Sequence, residues 1–141
     1  LRTNFIGKSF CKERIGLTDW IVDSLRFGKS VTVYEDVKIT PLHISTLCMI
    51  ISLVIKKEKA GTYNLGCKTG NSKAYLAFQI ANILKFDTNS MVPGMLNSEK
   101  QVIPRPFDMR MDCIFFEETF DYNLPTFDSQ ISIAAQEYLN E

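Results

Sequence analysis

The sequence predicts a mixed fold, of the α/β or α+β class, in which helices alternate with short strands. Helical spacing of apolar residues recurs along the chain, and short β-branched or aromatic runs lie between the helical segments. The chain has 141 residues, 45% apolar and 23% charged, which is ordinary for one globular domain. The predicted strands are too few to complete an open doubly wound sheet, so we expect part of a larger protein.

The first segments predict a strand end, a loop, a helix and a second strand. Residues 1–7 are interpreted as the end of a strand that runs into a loop. Thr18 and Asp19 offer N-cap chemistry for a helix that Gly28 would end. Residues 30–34 then alternate in the manner of a strand.

The middle of the chain predicts two longer helices. Pro41 favours extended backbone before it and precedes a helix over about residues 45–57. Residues 62–67 are interpreted as a short strand followed by a turn. Asn71 or Ser72 can then cap a helix whose apolar positions recur at three- and four-residue steps.

The last part of the chain carries weaker signals. Residues 86–100 are predicted as a loop, and residues 114–116 (Ile-Phe-Phe) form an apolar patch without a clear period. Ser129 is predicted to open a final helix that runs to about Leu139.

Charge and hydropathy exclude some classes of partner. Lys plus Arg number 16 against 16 Asp plus Glu, which argues against a nucleic-acid protein that depends on a strong basic field. The longest apolar stretch, residues 44–55, is shorter than the ~20 residues that span a bilayer, so we expect no membrane partner. No secretory leader opens the chain, and because it begins at Leu1 we expect a processed or truncated protein.

The cysteines and the histidine argue against a metal site. The four cysteines, Cys11, Cys48, Cys67 and Cys113, form no C-x-x-C pair, and His43 is the one histidine. We therefore expect free thiols in a reducing, cytoplasmic compartment. His43 precedes an apolar helix and is predicted to be a packed or capping residue.

The usual signals of catalysis and cofactor binding are absent from the sequence. It has no G-x-G-x-x-G, no Walker A motif and no G-x-S-x-G elbow. Gly66 and Gly70 fit neither phosphate-loop spacing and are interpreted as a strand-to-helix turn. We therefore predict no catalytic, cofactor-binding or metal-binding residue in this chain.

Candidate ligand contacts lie in residues 104–112 and at Asn4. Two prolines stiffen the backbone around Arg105, whose guanidinium can hold a phosphate by parallel charge-assisted hydrogen bonds. Asp108 could accept hydrogen bonds from sugar hydroxyls, and the alternative for this segment is a surface salt-bridge cluster. Asn4 lies where a strand ends, a place at which α/β sheets bind ligands, and its alternative is a turn asparagine.

Taken in order, these segments resemble the extended short-chain dehydrogenase/reductases. Residues 2–7 (R-T-N-F-I-G) resemble the R-x-N-x-x-G segment of that family, and Arg105–Asp112 resembles its late R-P-x-D-x-x-x-D motif. Residues 31–47 and 61–81 resemble the strand and helix segments between those motifs. The subgroup that the chain most resembles is that of the dTDP-4-dehydrorhamnose reductases, whose pattern sugar-nucleotide epimerases and dehydratases largely share.

The resemblance implies that residues 1–141 form the C-terminal, sugar-nucleotide-binding domain of a Rossmann-type enzyme. The parent would use NADPH or NADH, while this chain alone would bind no cofactor and be inactive. Asn4 would contact the pyrophosphate or sugar, Arg105 the diphosphate, and Asp108 the ribose or deoxyribose. The implied partners are a nucleotide-sugar and the absent N-terminal cofactor domain, with a possible homo-oligomer. A non-catalytic regulatory or binding subunit of the same fold is the alternative.

One departure from the family concerns the catalytic pair. The glycine-rich loop and the Tyr-x-x-x-Lys pair of the family would precede Leu1. Tyr34 and Lys38 have the right spacing, but they are predicted on a strand and turn, where a four-residue step does not align side chains. We therefore do not assign them a catalytic role.

Overall fold

The computed structural model describes residues 1–11, 13–96 and 105–139, and within them helices alternate with short strands. The helices are α1 (Leu17–Arg26), α2 (Ile44–Lys57), α3 (Lys73–Leu84), α4 (Ile114–Phe120) and α5 (Phe127–Gln136). The strands are β1 (Arg2–Thr3), β2 (Phe5–Ile6), β3 (Val31–Tyr34), β4 (Lys38–Ile39), β5 (Leu42–His43), β6 (Asn64–Leu65), β7 (Asn71–Ser72), β8 (Met91–Gly94) and β9 (Asp108–Met109). The mixed fold class predicted from the sequence is confirmed.

The strands pair into small sheets, and most of the pairs are parallel. β1 pairs with β6, β2 with β5, and β3 with β8, each in parallel. β4 lies between antiparallel β7 and parallel β9. Parallel neighbours need long crossover connections, and the helices supply them.

The core centres on α3. Leu76, Ala77, Ile80 and Ala81 of this helix are fully buried. α3 packs against α5, α1 and β3. Its alanines let the neighbouring elements approach closely. Because α3 contacts both α1 and α5, it packs these two helices into one core.

His43 is both packed and capping, as the sequence predicts. The residue is buried, and its Nδ1 accepts a hydrogen bond of 3.3 Å from the backbone N–H of Ser45 at the start of α2. Its backbone N–H donates to Oε1 of the buried Gln130 at 2.8 Å. The start of α2 is thereby fixed to α5.

The predicted start of the first helix is wrong by about two residues. The N-cap of α1 is Gly16, and Thr18 lies inside the helix, where its hydroxyl donates to the carbonyl of Gly7 at 2.7 Å. Asp19 occupies the third helical position and accepts the Gly16 N–H at 3.0 Å. Asp19 therefore caps α1 from inside the first turn.

The loop predicted over residues 86–100 is also wrong in part, because β8 lies within it, while residues 97–100 fall outside the described ranges. Pro93 makes β8 look unlike a strand, yet it pairs with Val33 of β3 in register. Among the described residues β8 has β3 as its sole partner, so a proline is tolerated there.

The positions of the last two described helices, α4 and α5, differ from the sequence prediction. The apolar patch at residues 114–116 begins α4, in which Phe116 and Phe120 are buried one turn apart. α5 begins at Phe127, because Thr126 accepts the Ser129 N–H and is the N-cap.

In the described ranges, every helix is too short or too polar to cross a membrane.

Candidate functional site

Arg105 lies at a small cavity between α1, β3 and α3. The cavity has a volume of about 190 Å³. Its walls include Trp20 and Ile21 from α1, Val33 and Tyr34 from β3, and Lys73 and Ala77 from α3. An aromatic and aliphatic interior therefore has two cationic side chains in its wall.

The two cations, Lys73 and Arg105, have no counter-charge among the residues that the structure describes. Neither has an ion-pair partner among residues 1–11, 13–96 and 105–139. Burial, and secondly the positive charge of Arg105, lower the pKa of the Lys73 ammonium. An anion bound between them would relieve this repulsion, so the arrangement favours an anionic ligand.

The helix that carries Lys73 adds to the positive potential. Lys73 is the first residue of α3, directly after Ser72, whose hydroxyl accepts the Tyr75 N–H at 3.0 Å. A helix N-terminus carries a partial positive charge and favours anions. Lys73 is thus a cation at the helix end where a cation is least favourable, and a bound anion would offset that cost.

The aromatic wall suits a planar ring beside the anion. Trp20 is 43% exposed, so part of its ring is open to a ligand, and Tyr34 is half-buried. Small-molecule pockets usually occupy roughly 300–1,000 Å³. A cavity of about 190 Å³ is therefore large enough for only part of such a ligand.

Asp108 lies at a different cleft. This cleft has a volume of about 510 Å³ and its wall includes Asp108, Arg110 and Asp112. The Arg110 guanidinium donates to both carboxylate oxygens of Asp108, with Nη2 2.6 Å from Oδ2. Hydrogen bonds from the Arg110 side chain, then from its backbone N–H, lower the pKa of Asp108 to about 2. Arg110 is the partner that the sequence analysis did not single out.

Other groups at this second cleft are also satisfied within the protein. Lys68 Nζ lies 3.1 Å from Oε1 of Glu117. Burial raises the pKa of the Cys67 thiol to about 12, and burial also raises that of Cys113. Both thiols are therefore protonated near neutral pH. Within the described ranges, no three His, Cys, Asp or Glu side chains are grouped as metal ligands.

Asn4 lies between β1 and β2 and contacts the segment that carries Asp108. Its Nδ2 donates to the carbonyl of Met109 over 3.5 Å. Its Oδ1 is buried and has no hydrogen-bond partner among the described residues. The structure therefore places Asn4 near the Asp108 segment, and it places Arg105 at a separate cavity. Pro104, one of the two prolines that flank Arg105 in the sequence, lies outside the described residues.

Comparison with known proteins gave matches to solved structures only. No family model matches the chain, and no curated protein matches it. The dTDP-4-dehydrorhamnose reductase of Bacillus anthracis, solved with NADP, is 15% identical with a TM-score of 0.78, over 95% of this chain and 45% of that chain. The dTDP-glucose 4,6-dehydratase of the same organism, solved with NAD, is 19% identical with a TM-score of 0.76, over 99% and 43%.

A third similar structure contains a nucleoside diphosphate. The Bordetella bronchiseptica enzyme WbmG, solved with NAD and UDP, is 17% identical with a TM-score of 0.76, over 96% of this chain and 42% of that chain. The chain thus spans less than half the length of these proteins. At these identities the likeness shows the fold alone, and the chain folds like part of these Rossmann-type structures.

Proposed function

We propose that residues 1–141 are the C-terminal, sugar-nucleotide-binding part of a cytoplasmic, NAD(P)-dependent sugar-nucleotide reductase of the dTDP-4-dehydrorhamnose reductase type. The observation that carries the proposal is the convergence of Lys73 and Arg105 on a cavity walled by Trp20 and Tyr34. Neither cation has a counter-charge within the described part of the chain. A nucleoside diphosphate combines an aromatic ring with an anion and matches both features.

In the proposed complex the base enters the aromatic cavity. Stacking of a nucleic-acid base on an aromatic side chain contributes roughly 1–3 kcal/mol, and Trp20 offers such a surface. The diphosphate would lie between Arg105 and Lys73 at the start of α3, where guanidinium, ammonium and helix dipole all favour negative charge. The sugar would extend beyond the cavity, since its volume is only about 190 Å³.

Asn4 and Asp108 are proposed as further contacts to the ligand. The buried Oδ1 of Asn4 is an open acceptor and could receive a hydrogen bond from a hydroxyl group. Asp108 already accepts hydrogen bonds from Arg110, so it would bind a hydroxyl of the sugar that extends beyond the cavity by exchanging one of them. Both contacts would orient the ligand rather than supply most of the affinity.

Chemistry in the proposed parent takes place outside this chain. The absent N-terminal half would bind NADPH or NADH and supply the tyrosine that donates a proton, and the cofactor would transfer hydride to a 4-keto sugar nucleotide. We expect the 141-residue chain alone to show no reductase activity. Turnover of a 4-keto sugar nucleotide by the purified chain would contradict this division of roles.

A sugar-nucleotide epimerase or dehydratase is the second candidate for the parent. The dTDP-glucose 4,6-dehydratase aligns over 99% of this chain with a TM-score of 0.76, against 0.78 for the reductase, so the fold does not separate them. Cofactor consumption by the parent protein would distinguish the two candidates. A reductase consumes one equivalent of NAD(P)H for each substrate, whereas an epimerase or dehydratase regenerates its cofactor.

The binding proposal is tested by calorimetric titration of Arg105→Ala. Losing a charge-assisted hydrogen bond costs about 1.5–3 kcal/mol, so we expect dTDP-glucose to bind roughly 10- to 100-fold more weakly. Glucose alone should bind this variant and the unmodified chain equally. Lys29→Ala, a cation near Phe27 outside the cavity, is the matched control and should bind dTDP-glucose normally. Equal weakening of both ligands would remove Arg105 from the phosphate role.

A further inference from the structure

Part of the cavity wall around Trp20 belongs to the first turn of α1. Leu17 is the first residue of this helix, and both Leu17 and Trp20 line the cavity of about 190 Å³. The backbone N–H of Trp20 donates to the carbonyl of Gly16 at 3.0 Å and closes the turn. Helix ends fray where their free backbone groups find no partner. The position of the indole ring therefore depends on what holds this turn.

The capping contact of this turn comes from Asp19, the residue directly before Trp20. The N-cap residue, Gly16, has no side chain that could accept a hydrogen bond. Asp19 lies at the third helical position, and its Oδ2 accepts the Gly16 N–H at 3.0 Å and the Ser9 N–H at 3.1 Å. One carboxylate thus connects the start of the helix to the loop before it.

The turn after α5 holds both this carboxylate and the loop. The hydroxyl of Tyr138, which is buried, donates to Oδ1 of Asp19 at 2.6 Å. The preceding residue, Glu137, accepts the backbone N–H of Lys8 at Oε2 over 2.7 Å. The ring of Tyr138 has its own contact with the loop, since Lys8 Nζ lies 5.7 Å from the ring centroid. Loss of the hydroxyl alone would therefore release the Asp19 carboxylate and keep the ring in place.

We propose that Asp19 and Tyr138 are positioning residues for the nucleotide base, because their contact holds Trp20 in the wall of the cavity. Both residues are described, and neither lines the cavity, so they would act through the first turn of α1. A wall that is already ordered strengthens binding, because the ligand does not have to immobilise it. This inference rests on the proposed function, and it adds the contact that keeps the aromatic wall in place.

A merely structural role for Tyr138 predicts a different pattern of ligand binding. General loss of structure would weaken contacts to the base and to the phosphates alike. The proposed phosphate contacts lie on other elements, since Lys73 begins α3 and Arg105 precedes β9. UDP carries a base as well as a diphosphate, whereas inorganic pyrophosphate carries only the charge. A comparison of these two ligands therefore isolates the contribution of the base.

The test is calorimetric titration of UDP and of inorganic pyrophosphate into the 141-residue chain and into Tyr138→Phe. Base binding gains from stacking on an aromatic ring, so we expect UDP to bind the variant roughly 5-fold or more weakly. Pyrophosphate should bind both proteins equally. Equal UDP affinities, or pyrophosphate weakened as much as UDP, would overturn the inference. Failure of UDP to bind the unmodified chain would refute the proposed binding site itself, and this inference with it.

Gly16→Ala disturbs the same carboxylate from the opposite side. A Cβ at Gly16 would lie 2.8 Å from Oδ2 of Asp19, so the carboxylate must shift while the Tyr138 hydroxyl is retained. We expect the same selective loss, with UDP weakened and pyrophosphate unchanged. Normal UDP binding by Gly16→Ala would contradict the role of Asp19, and this variant decides the question even if Tyr138→Phe does not fold.

Tyr63→Phe is the matched control for loss of a buried tyrosine hydroxyl. Tyr63 is 5% exposed, against 7% for Tyr138, and its hydroxyl donates to the Ala60 carbonyl at 3.0 Å. Tyr63 packs against Phe120 and lies outside the cavity wall. We expect Tyr63→Phe to lower the free energy of unfolding and to bind UDP normally. Weaker UDP binding by this control would show that the effect is not specific to the Tyr138–Asp19 contact.

Fluorescence anisotropy of Trp20, the one tryptophan of the chain, provides a second readout without ligand. If the Tyr138–Asp19 contact positions the indole ring, the ring should move more freely in Tyr138→Phe, and the anisotropy should fall. The anisotropy of Tyr63→Phe should match that of the unmodified chain. The same anisotropy in all three proteins would overturn the inference.

Discussion

The phenolic hydroxyl of Tyr138 donates a hydrogen bond of 2.6 Å to Oδ1 of Asp19, a residue 119 positions earlier in the chain. The same carboxylate accepts the backbone N–H groups of Ser9 and Gly16, at 3.1 and 3.0 Å. Tyr138 is only 7% exposed. The turn after α5 therefore holds both the loop before α1 and the first turn of that helix.

Removing this hydroxyl should destabilise the fold. A hydrogen bond to a charged group contributes roughly 1.5–3 kcal/mol, so we expect Tyr138→Phe to lower the free energy of unfolding by about that amount. Chemical denaturation measures the change. Tyr122→Phe is the control, because the Tyr122 hydroxyl has no hydrogen bond within the described ranges. Equal losses in the two variants would contradict a specific role for the Tyr138–Asp19 contact.

The same tyrosine should make stability depend on alkaline pH. Burial, then the hydrogen bond to Asp19, raise the pKa of Tyr138 above its ordinary value of 10.0. The folded state therefore holds this proton more tightly, and the stabilisation present below pH 10 is lost as pH rises further. Tyr138→Phe should show a smaller loss of stability between pH 9 and 11. Parallel alkaline profiles for both proteins would count against this.

Gln130 should be important for the junction between α2 and α5. Its Oε1 accepts the buried backbone N–H of His43, and Gln130→Met would leave that donor without a partner. A buried unsatisfied donor costs about 1–3 kcal/mol, which thermal or urea unfolding would detect. Gln136→Met changes an exposed residue of the same helix and should have little effect. A harmless Gln130→Met would show that this hydrogen bond contributes little.

Substitution of Gly70 should lower the free energy of unfolding, because the backbone of Ile39 lies close to it. A Cβ built at Gly70 would lie within van der Waals overlap of the Ile39 carbonyl oxygen and would crowd the Thr40 methyl. Overpacking of this kind costs about 1–3 kcal/mol, so we expect Gly70→Ala to be destabilising by that amount. A Cβ at Gly94 would meet only the side-chain methyl of Thr32, at 2.8 Å, and no backbone atom, so Gly94→Ala should cost less. The reverse order of the two losses would contradict the packing argument.

Arg110 should control the ionisation of Asp108. Because Arg110 lowers the pKa of Asp108 to about 2, Arg110→Gln should raise it toward the ordinary value of 3.8. Carboxyl NMR chemical shifts followed against pH give the value directly. Arg105→Gln, at the other cavity, should leave the pKa of Asp108 unchanged. The ion pair between Asp108 and Arg110 stabilises the folded state above pH 3.8, and this stabilisation is lost as pH falls through about 2.

The helices that the sequence predicted well are those with local signals. α2 and α3 combine helical spacing with capping residues, and Ser72 caps α3 as predicted. β8 was missed because Pro93 is acceptable only on a strand with one open edge, which a sequence does not reveal. The apolar residues at the start of α4 show no helical periodicity in the sequence, because Ile114 and Phe115 are exposed while Phe116 is buried.

The candidate site was predictable in part. Arg105 was identified from its own segment, but Trp20, Tyr34 and Lys73 come from three other elements that tertiary packing brings together. One local signal existed: Lys73 directly follows the cap residue Ser72, where a lysine opposes the helix dipole. Residues that break a local rule in this way often belong to a binding site.

The most direct test of the proposed binding site uses Trp20, the one tryptophan of the chain, which lies in the cavity wall. UDP and dTDP would be titrated into the 141-residue chain while tryptophan emission is recorded. We predict a saturable change in emission that needs roughly 10- to 100-fold more ligand in Arg105→Ala and Lys73→Met, each of which removes a charge-assisted contact. Emission unchanged by either nucleotide, or a change insensitive to both substitutions, would contradict the account.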